Sequence, residues 1–132
     1  MRAAEYDPIV RARLELARMI SAADYIAAMH KRSSLVQAMD VRLSDLDGLV
    51  LPTTPIVAPM IAELSNIEAE LAVDDAILIR NTVIANFFDL CAISLPCPRA
   101  GGLPVGLMLV ARNGRDRKLL RMAAAVERLL AA

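Results

Sequence analysis

The sequence predicts an α/β fold in which a partial mixed sheet is covered by helices. Three observations point there. No Gly or Pro interrupts residues 22 to 47, and the apolar residues within that stretch keep a largely helical spacing. Two short runs, 91 to 97 and 105 to 111, are apolar on both faces, as strands buried under helices are. A Pro/Gly link short enough for a hairpin joins those runs, and an amphipathic segment follows them directly.

The elements can be justified in chain order. Pro8 stands near the first turn of a short helix that continues through Ile9, Arg13, Leu14 and Leu16 and ends near Ile20, with a solvated Arg-rich face. Ser21 to Asp24 reads as a capping box, from which a long helix carries Ile26, Met29, Leu35, Met39, Leu43 and Leu46 until Asp47-Gly48 stops it. Leu49-Val50-Leu51 is too short for a helix before Pro52 and reads as a buried strand; Pro52, Pro55 and Pro59 then force an extended loop. Residues 60 to 72 read as loop with one turn of helix. Asp74 and Asp75 open a helix to Leu90 with Ile77, Ile84 and Phe87 or Phe88 as its stripe, interrupted by Arg80, Asn81, Thr82 and Asn86. After the hairpin and Asn113-Gly114, Asp116 is placed to cap a final helix with Leu119, Ala123, Val126 and Leu130 on one face.

Composition bounds the function. At 132 residues the chain is expected to form a single unit, helical over 1–47 and built of strands and helices over 48–132. Its 57% hydrophobic content exceeds the usual ~45–50%, so several elements expect burial on more than one side. Fifteen basic and fifteen acidic residues cancel, which argues against nucleic acid and anionic membrane as partners. No run approaches the ~18–20 apolar residues of a membrane span, and the first residues lack a signal-peptide core, so the expected location is cytoplasmic. Cys91 and Cys97, six positions apart on a strand, would lie ~20 Å from each other and should be reduced thiols. One histidine, and cysteines without neighbours at ligand spacing, argue against a metal.

The order Asp47-Gly-Leu-Val-Leu-Pro-Thr-Thr-Pro55, Asn81-Thr82 with Asn86, Ala92-Ile-Ser-Leu-Pro-Cys97, Gly102-Leu-Pro-Val-Gly106 and a closing helix resembles the C-terminal part of amidase signature enzymes, over essentially the whole chain. The resemblance implies the C-terminal part of that family's α/β/α fold. It also implies amide hydrolysis by a serine nucleophile, a second serine in a cis peptide linkage and a lysine, residues that sit in the family's earlier half. A serine hydroxyl needs a base to take its proton, and the oxyanion needs backbone N–H donors from a glycine loop. The only Ser-Ser pair, Ser33-Ser34, lies in a predicted helix without an adjacent glycine, and the only lysines are Lys31 and Lys118. No catalytic residue is therefore assigned in this chain, and no cofactor.

What the resemblance carries over is peripheral: Thr53, Thr54, Thr82, Asn86 and Phe87 are candidates for the wall of a substrate pocket. Each also has a structural reading. Hydroxyls beside prolines commonly satisfy turn backbone, and buried amides and hydroxyls must be paired in any case. Glutamine-using members of the family are expected to hold an acid where this chain has Leu78-Ile79-Arg80, which disfavours that activity. His30 reads as solvated, the seven methionines as core filler, Gly101-Gly102 as a hairpin turn, and Arg99 as an exposed loop residue.

The functional expectation is a C-terminal portion of an amidase, acting on carbon–nitrogen amide bonds and inactive alone. It would meet a small-molecule amide only in a complete enzyme, and it would associate with itself or with a complementary amidase segment. The alternative is a non-catalytic interaction or scaffolding module that keeps this half of the fold. A third reading, an independent hydrolase using Ser94 or Thr54, lacks a base in the sequence.

Overall fold

The computed structural model describes residues 5–64, 77–97 and 102–131. Helix α1 (Pro8–Ala17) and helix α2 (Ala22–Arg42) lead into strand β1 (Leu49–Pro52) and a 3-10 turn (Ile61–Leu64); helix α3 (Arg80–Phe87), strands β2 (Cys91–Cys97) and β3 (Val105–Ala111), and helix α4 (Asp116–Leu130) follow. Among the described residues the sheet has three strands in the order β1-β3-β2, both pairs antiparallel. The hairpin partners run from Cys91 opposite Ala111 to Cys97 opposite Val105, and β1 sets Leu49 opposite Val110.

Among the described residues β3 is the centre of the fold, with a strand on both edges and cover on both faces. Leu109 and Ala111 meet Leu119 and Ala123 of α4, with Leu95 of β2 alongside and Val126 and Leu130 partly buried against them. This is the α4 face expected from the spacing of its apolar residues. On the opposite face Met108 and Val110 pack with Ala85 of α3 and, at the margin, Leu49, Leu51 and Leu90. Each fully buried Leu or Val contributes roughly 1.5–3 kcal/mol relative to exposure, so the run from Met108 to Ala111 anchors the fold.

β2 differs from the expectation of a strand covered on both faces. Cys91, Ile93, Leu95 and Cys97 point toward the α4 side and are buried or half-buried, whereas Ala92, Ser94 and Pro96 are exposed. The apolar character of the run reflects small residues on its open side rather than a second helical layer. Cys91 and Cys97 are free thiols, and the Cys91 thiol donates to the Arg112 carbonyl at 3.3 Å.

The long helix departs further. Its start is as expected: the Ser21 hydroxyl oxygen accepts from the Asp24 N–H at 3.1 Å, although the Asp24 carboxylate answers the Ser21 hydroxyl at 2.6 Å rather than a backbone N–H. It ends at Arg42, a turn before Asp47-Gly48, because the chain tightens there: the Leu43 N–H still donates four residues back to the Met39 carbonyl, but Ser44 and Leu46 bond three residues back. No residue of α2 is buried. Of the expected stripe, Leu43 alone, just past the helix, is buried, while Ile26 is 55% exposed.

Two smaller corrections concern α3 and α4. The buried residues of α3 are Asn81 and Ala85, one turn apart, not the stripe of Ile77, Ile84 and Phe87 or Phe88. The N-cap of α4 is Arg115, with no side-chain bond, and Asp116 sits inside the first turn, where its charge still favours the helix dipole. Gly114 precedes it with φ +71°, a conformation that favours glycine. The expected helix start at Asp74 and Asp75, most of the 60–72 loop, and the turn readings of Arg99 and Gly101 lie outside the described residues.

Candidate functional site

The five pocket-wall candidates fall into two groups. Thr53 and Thr54 leave the end of β1; Thr82, Asn86 and Phe87 belong to α3.

Thr53 continues the ladder, its N–H donating to the Gly106 carbonyl at 2.8 Å. Its Oγ1 lies 2.5 Å from the Ser94 Oγ, so the two hydroxyls share a hydrogen bond that crosses above Gly106 from β1 to β2. A Cβ on Gly106 would sit 2.5 Å from Thr53 Oγ1 and 2.6 Å from Ser94 Oγ, so only glycine leaves room for the pair. The Thr54 hydroxyl turns away and donates to the Ile56 carbonyl at 2.9 Å, closing the Pro-rich turn.

On α3, the Thr82 hydroxyl bonds back to the Ile79 carbonyl at 2.9 Å. The Asn86 side chain is exposed, and its backbone carbonyl accepts from Arg32 of α2 at 3.3 Å. The Arg32 guanidinium stands 5.7 Å from the Phe87 ring centroid and pairs with Asp89; the Phe87 ring meets Phe88 edge-on at 4.9 Å. Asp89 itself holds a positive φ of 54°, and its carbonyl accepts from the Asn113 amide at 2.8 Å. Asn86 and Phe87 thus brace α2, while Thr82 bonds within its own helix turn.

The residue that joins the groups is Asn81, which the sequence shows as an interruption of an apolar stripe and as part of a motif carrying the family resemblance, but not as a pocket candidate. It is 9% exposed, and its amide donates to the Pro52 carbonyl at 2.7 Å, tying the start of α3 to the end of β1. A polar residue one turn from Ala85, facing inward, was the available signal, since a buried amide must find a partner.

Two concavities flank the end of the hairpin. One, of ≈ 310 Å³, runs between the Thr54–Val57 turn and β3, with Pro52, Cys97, Val105 and Leu107 in its walls. The other, of ≈ 540 Å³, lies between Pro96, Cys97, Val105 and the end of α4 at Leu130. Both are mainly apolar, and of the five candidates Thr54 alone lines either. Among the described residues no cluster of three metal-ligating side chains occurs.

Elsewhere the titratable groups work as struts. The guanidinium of Arg112 grips Asp40 of α2 through Nε at 2.7 Å and Nη2 at 2.5 Å, which holds the Asp40 carboxyl below the usual range and raises Arg112. Lys118, 2.6 Å from Asp47, lowers that carboxyl by the same cause. Ser34, in α2, donates to the His30 carbonyl at 3.3 Å.

Comparison with known proteins gives a consistent result. Residues 1–120 match the Amidase family model. The chain is 33% identical over 129 residues to a 2-amino-5-chloromuconic acid deaminase of Comamonas testosteroni, spanning 94% of this chain and 27% of that protein. It is 35% identical to a glutamyl-tRNA(Gln) amidotransferase chain of Halobacterium salinarum, over 78% of this chain and 23% of that protein. A crystal structure of an amidase superposes with a TM-score of 0.77 at 25% identity, over 96% of this chain and 29% of that one. The glutamyl-tRNA(Gln) amidotransferase chain of Thermotoga maritima superposes with a TM-score of 0.64 at 31% identity, over 89% of this chain and 26% of that one. The chain therefore spans about a quarter of the length of the relatives it matches.

Proposed function

The chain belongs to the amidase family, and on that premise we propose that its 132 residues form the C-terminal portion of an amidase that hydrolyses carbon–nitrogen amide bonds. The proposal includes inactivity of these residues alone: catalysis waits for a segment that carries the serine, cis-serine and lysine. The observation behind it is the environment of Ser94. Its hydroxyl is bonded to another hydroxyl, that of Thr53, and a hydroxyl has no more appetite for a proton than the serine it would have to activate. Thr54 likewise spends its proton on a turn carbonyl.

In this reading the chain contributes walls rather than reacting groups. The Pro52–Val57 turn and the β3 residues beside it supply an apolar concavity of the kind that holds the non-reacting part of a small amide. The partner is a complementary amidase segment, with a second copy as the competing occupant. A cytoplasmic setting, in keeping with relatives named for a transfer RNA, belongs to the same proposal.

The test is reconstitution. The purified chain should give no turnover of a simple anilide. Mixed with the polypeptide of the superposed amidase from which the matched region has been deleted, it should restore turnover. Hydrolysis by the chain alone, abolished in Ser94→Ala or Thr54→Ala, would overturn the reading in favour of an independent hydrolase.

A further inference from the structure

The turn between β3 and α4 is built on Asn113 and Gly114. The Arg115 N–H donates to the Arg112 carbonyl at 3.1 Å and closes the turn across both. Gly114 holds φ +71°, and a Cβ placed on it would meet nothing within 4 Å. Its N–H has no acceptor among the described residues, and Asn113 itself is exposed. A backbone nitrogen that no hydrogen bond restrains therefore follows an asparagine carboxamide, with no side chain to hinder their approach. Asn81 and Asn86 lack this combination: both lie in α3, where the larger side chains of Thr82 and Phe87 crowd the nitrogen that follows.

The Asn113 carboxamide has a structural task. It donates to the Asp89 carbonyl at 2.8 Å, and Asp89, in the left-handed region at φ 54°, is the residue that pairs with Arg32 of α2. Asn113 also lines a mainly apolar concavity of ≈ 420 Å³ between α2 and this corner, with Val36, Asp40 and Val41 on the helix side and Phe88 and Leu90 opposite.

We propose that Asn113 is a site of spontaneous deamidation and that its conversion loosens α2. The Gly114 nitrogen gives up its proton to a solvent base and bonds to Cγ of Asn113; the Cγ–Nδ2 bond breaks and ammonia leaves, giving a succinimide. Water then opens the ring. Cleavage between the Gly114 nitrogen and Cγ leaves aspartate; cleavage between that nitrogen and the main-chain carbonyl carbon leaves isoaspartate, with the backbone rerouted through the side chain. One water enters, one ammonia departs, and nothing is oxidised or reduced.

Either product replaces a donor with an ionised carboxylate, which only accepts, so the Asp89 carbonyl loses its partner. Negative charge also enters a concavity that Asp40 already lines. Arg112, the bidentate partner of Asp40, gains a competing carboxylate on the next residue. All three changes weaken the attachment of α2.

The chain would be incubated in mildly alkaline buffer, digested and read by mass spectrometry, with isoaspartate labelled by isoaspartyl methyltransferase. Asn113 should convert in the folded chain within the incubation that converts it in the urea-unfolded chain, while Asn81 and Asn86 stay intact. Asn113→Gln, whose longer side chain closes only a slower-forming ring, should lose the modification. Hydrogen exchange should then run several-fold faster at α2 amides around Arg32 and Asp40 in the incubated wild type than in the fresh chain, the scale of one lost hydrogen bond. Leu109 and Val110 should be unchanged. Incubation should not accelerate exchange in Asn113→Gln, and Asn113→Asp should show the faster exchange without incubation. Should Asn113→Asp fail to fold, the incubated wild type, modified after folding, still reads the effect on α2. An Asn113 that survives in the folded chain while its unfolded counterpart converts would overturn the site. Conversion that leaves α2 exchange unchanged would overturn the link to α2.

Discussion

The hairpin with α4 and the helical pair α1–α2 are held by different physics. Leu109 and Val110 have essentially no exposed surface, and Leu119 and Ala123 close over the sheet. By contrast, the 21 residues of α2 bury none of their side chains. They are fastened to the rest by polar struts from Arg32 to Asp89 and from Asp40 to Arg112. One region is secured by water exclusion, which neither ionic screening nor titration weakens. The other is secured by ion pairs between partly exposed groups, which are sensitive to both.

The largest effect should come from the packed region. Leu109→Ala removes a side chain with 2% exposure from between β2 and α4. It should destabilise the chain by about 2–5 kcal/mol, the range for large-to-small core substitutions, read as a fall in the urea midpoint. If the midpoint moves no more than it does for Ile26→Ala on exposed α2, the two regions are not distinct in kind.

Gly106→Ala should have the next largest effect. The added methyl must displace the Thr53 and Ser94 hydroxyls and also meets Thr53 Cβ at 3.0 Å. Overpacking of this sort costs typically ~1–3 kcal/mol. Ser94→Ala in the Gly106→Ala background should recover only part of the loss, because both Thr53 contacts remain. Full recovery in that double variant would show that the strain lies at Ser94 alone.

The same division explains how much could be read from the residues. β3 and α4 were legible because burial leaves a periodic signature: Leu119, Ala123, Val126 and Leu130 share a face, and Met108 to Ala111 is unbroken apolar. α2 was legible as a helix but not in its environment, since apolar residues at helical spacing look alike whether or not something covers them. β2 misled for a related reason. Ala92 and Pro96 count as apolar yet are small enough to stand open, so the run looked two-faced when one face is bare. Of the candidate site, Thr53 was marked without its partner, because the Ser94 contact spans 41 positions and depends on the absence of a side chain at Gly106. Asn81 was visible as a polar intrusion, but its acceptor, a carbonyl 29 residues away, follows only from the fold.

The smallest expected effect sharpens the comparison most, because it should appear in one region and not the other. Arg112→Met leaves Asp40 without its bidentate partner while sparing the packed core. The urea midpoint of the sheet should barely move, but α2 amides, followed by hydrogen exchange, should lose protection around Asp40. Acid should do the same to the unaltered chain. The Asp40 carboxyl is held below its ordinary value of 3.8, chiefly by the hydrogen bond from Arg112. The strut's contribution is thus complete above that value and is lost as pH falls through the lower, folded-state value. Protection of α2 should therefore decay below about pH 4 while β3 stays protected, and Arg112→Met should remove that pH dependence from the residues near Asp40. Simultaneous loss of α2 and β3 on acidification would mean that the helix is coupled to the core by more than its two struts.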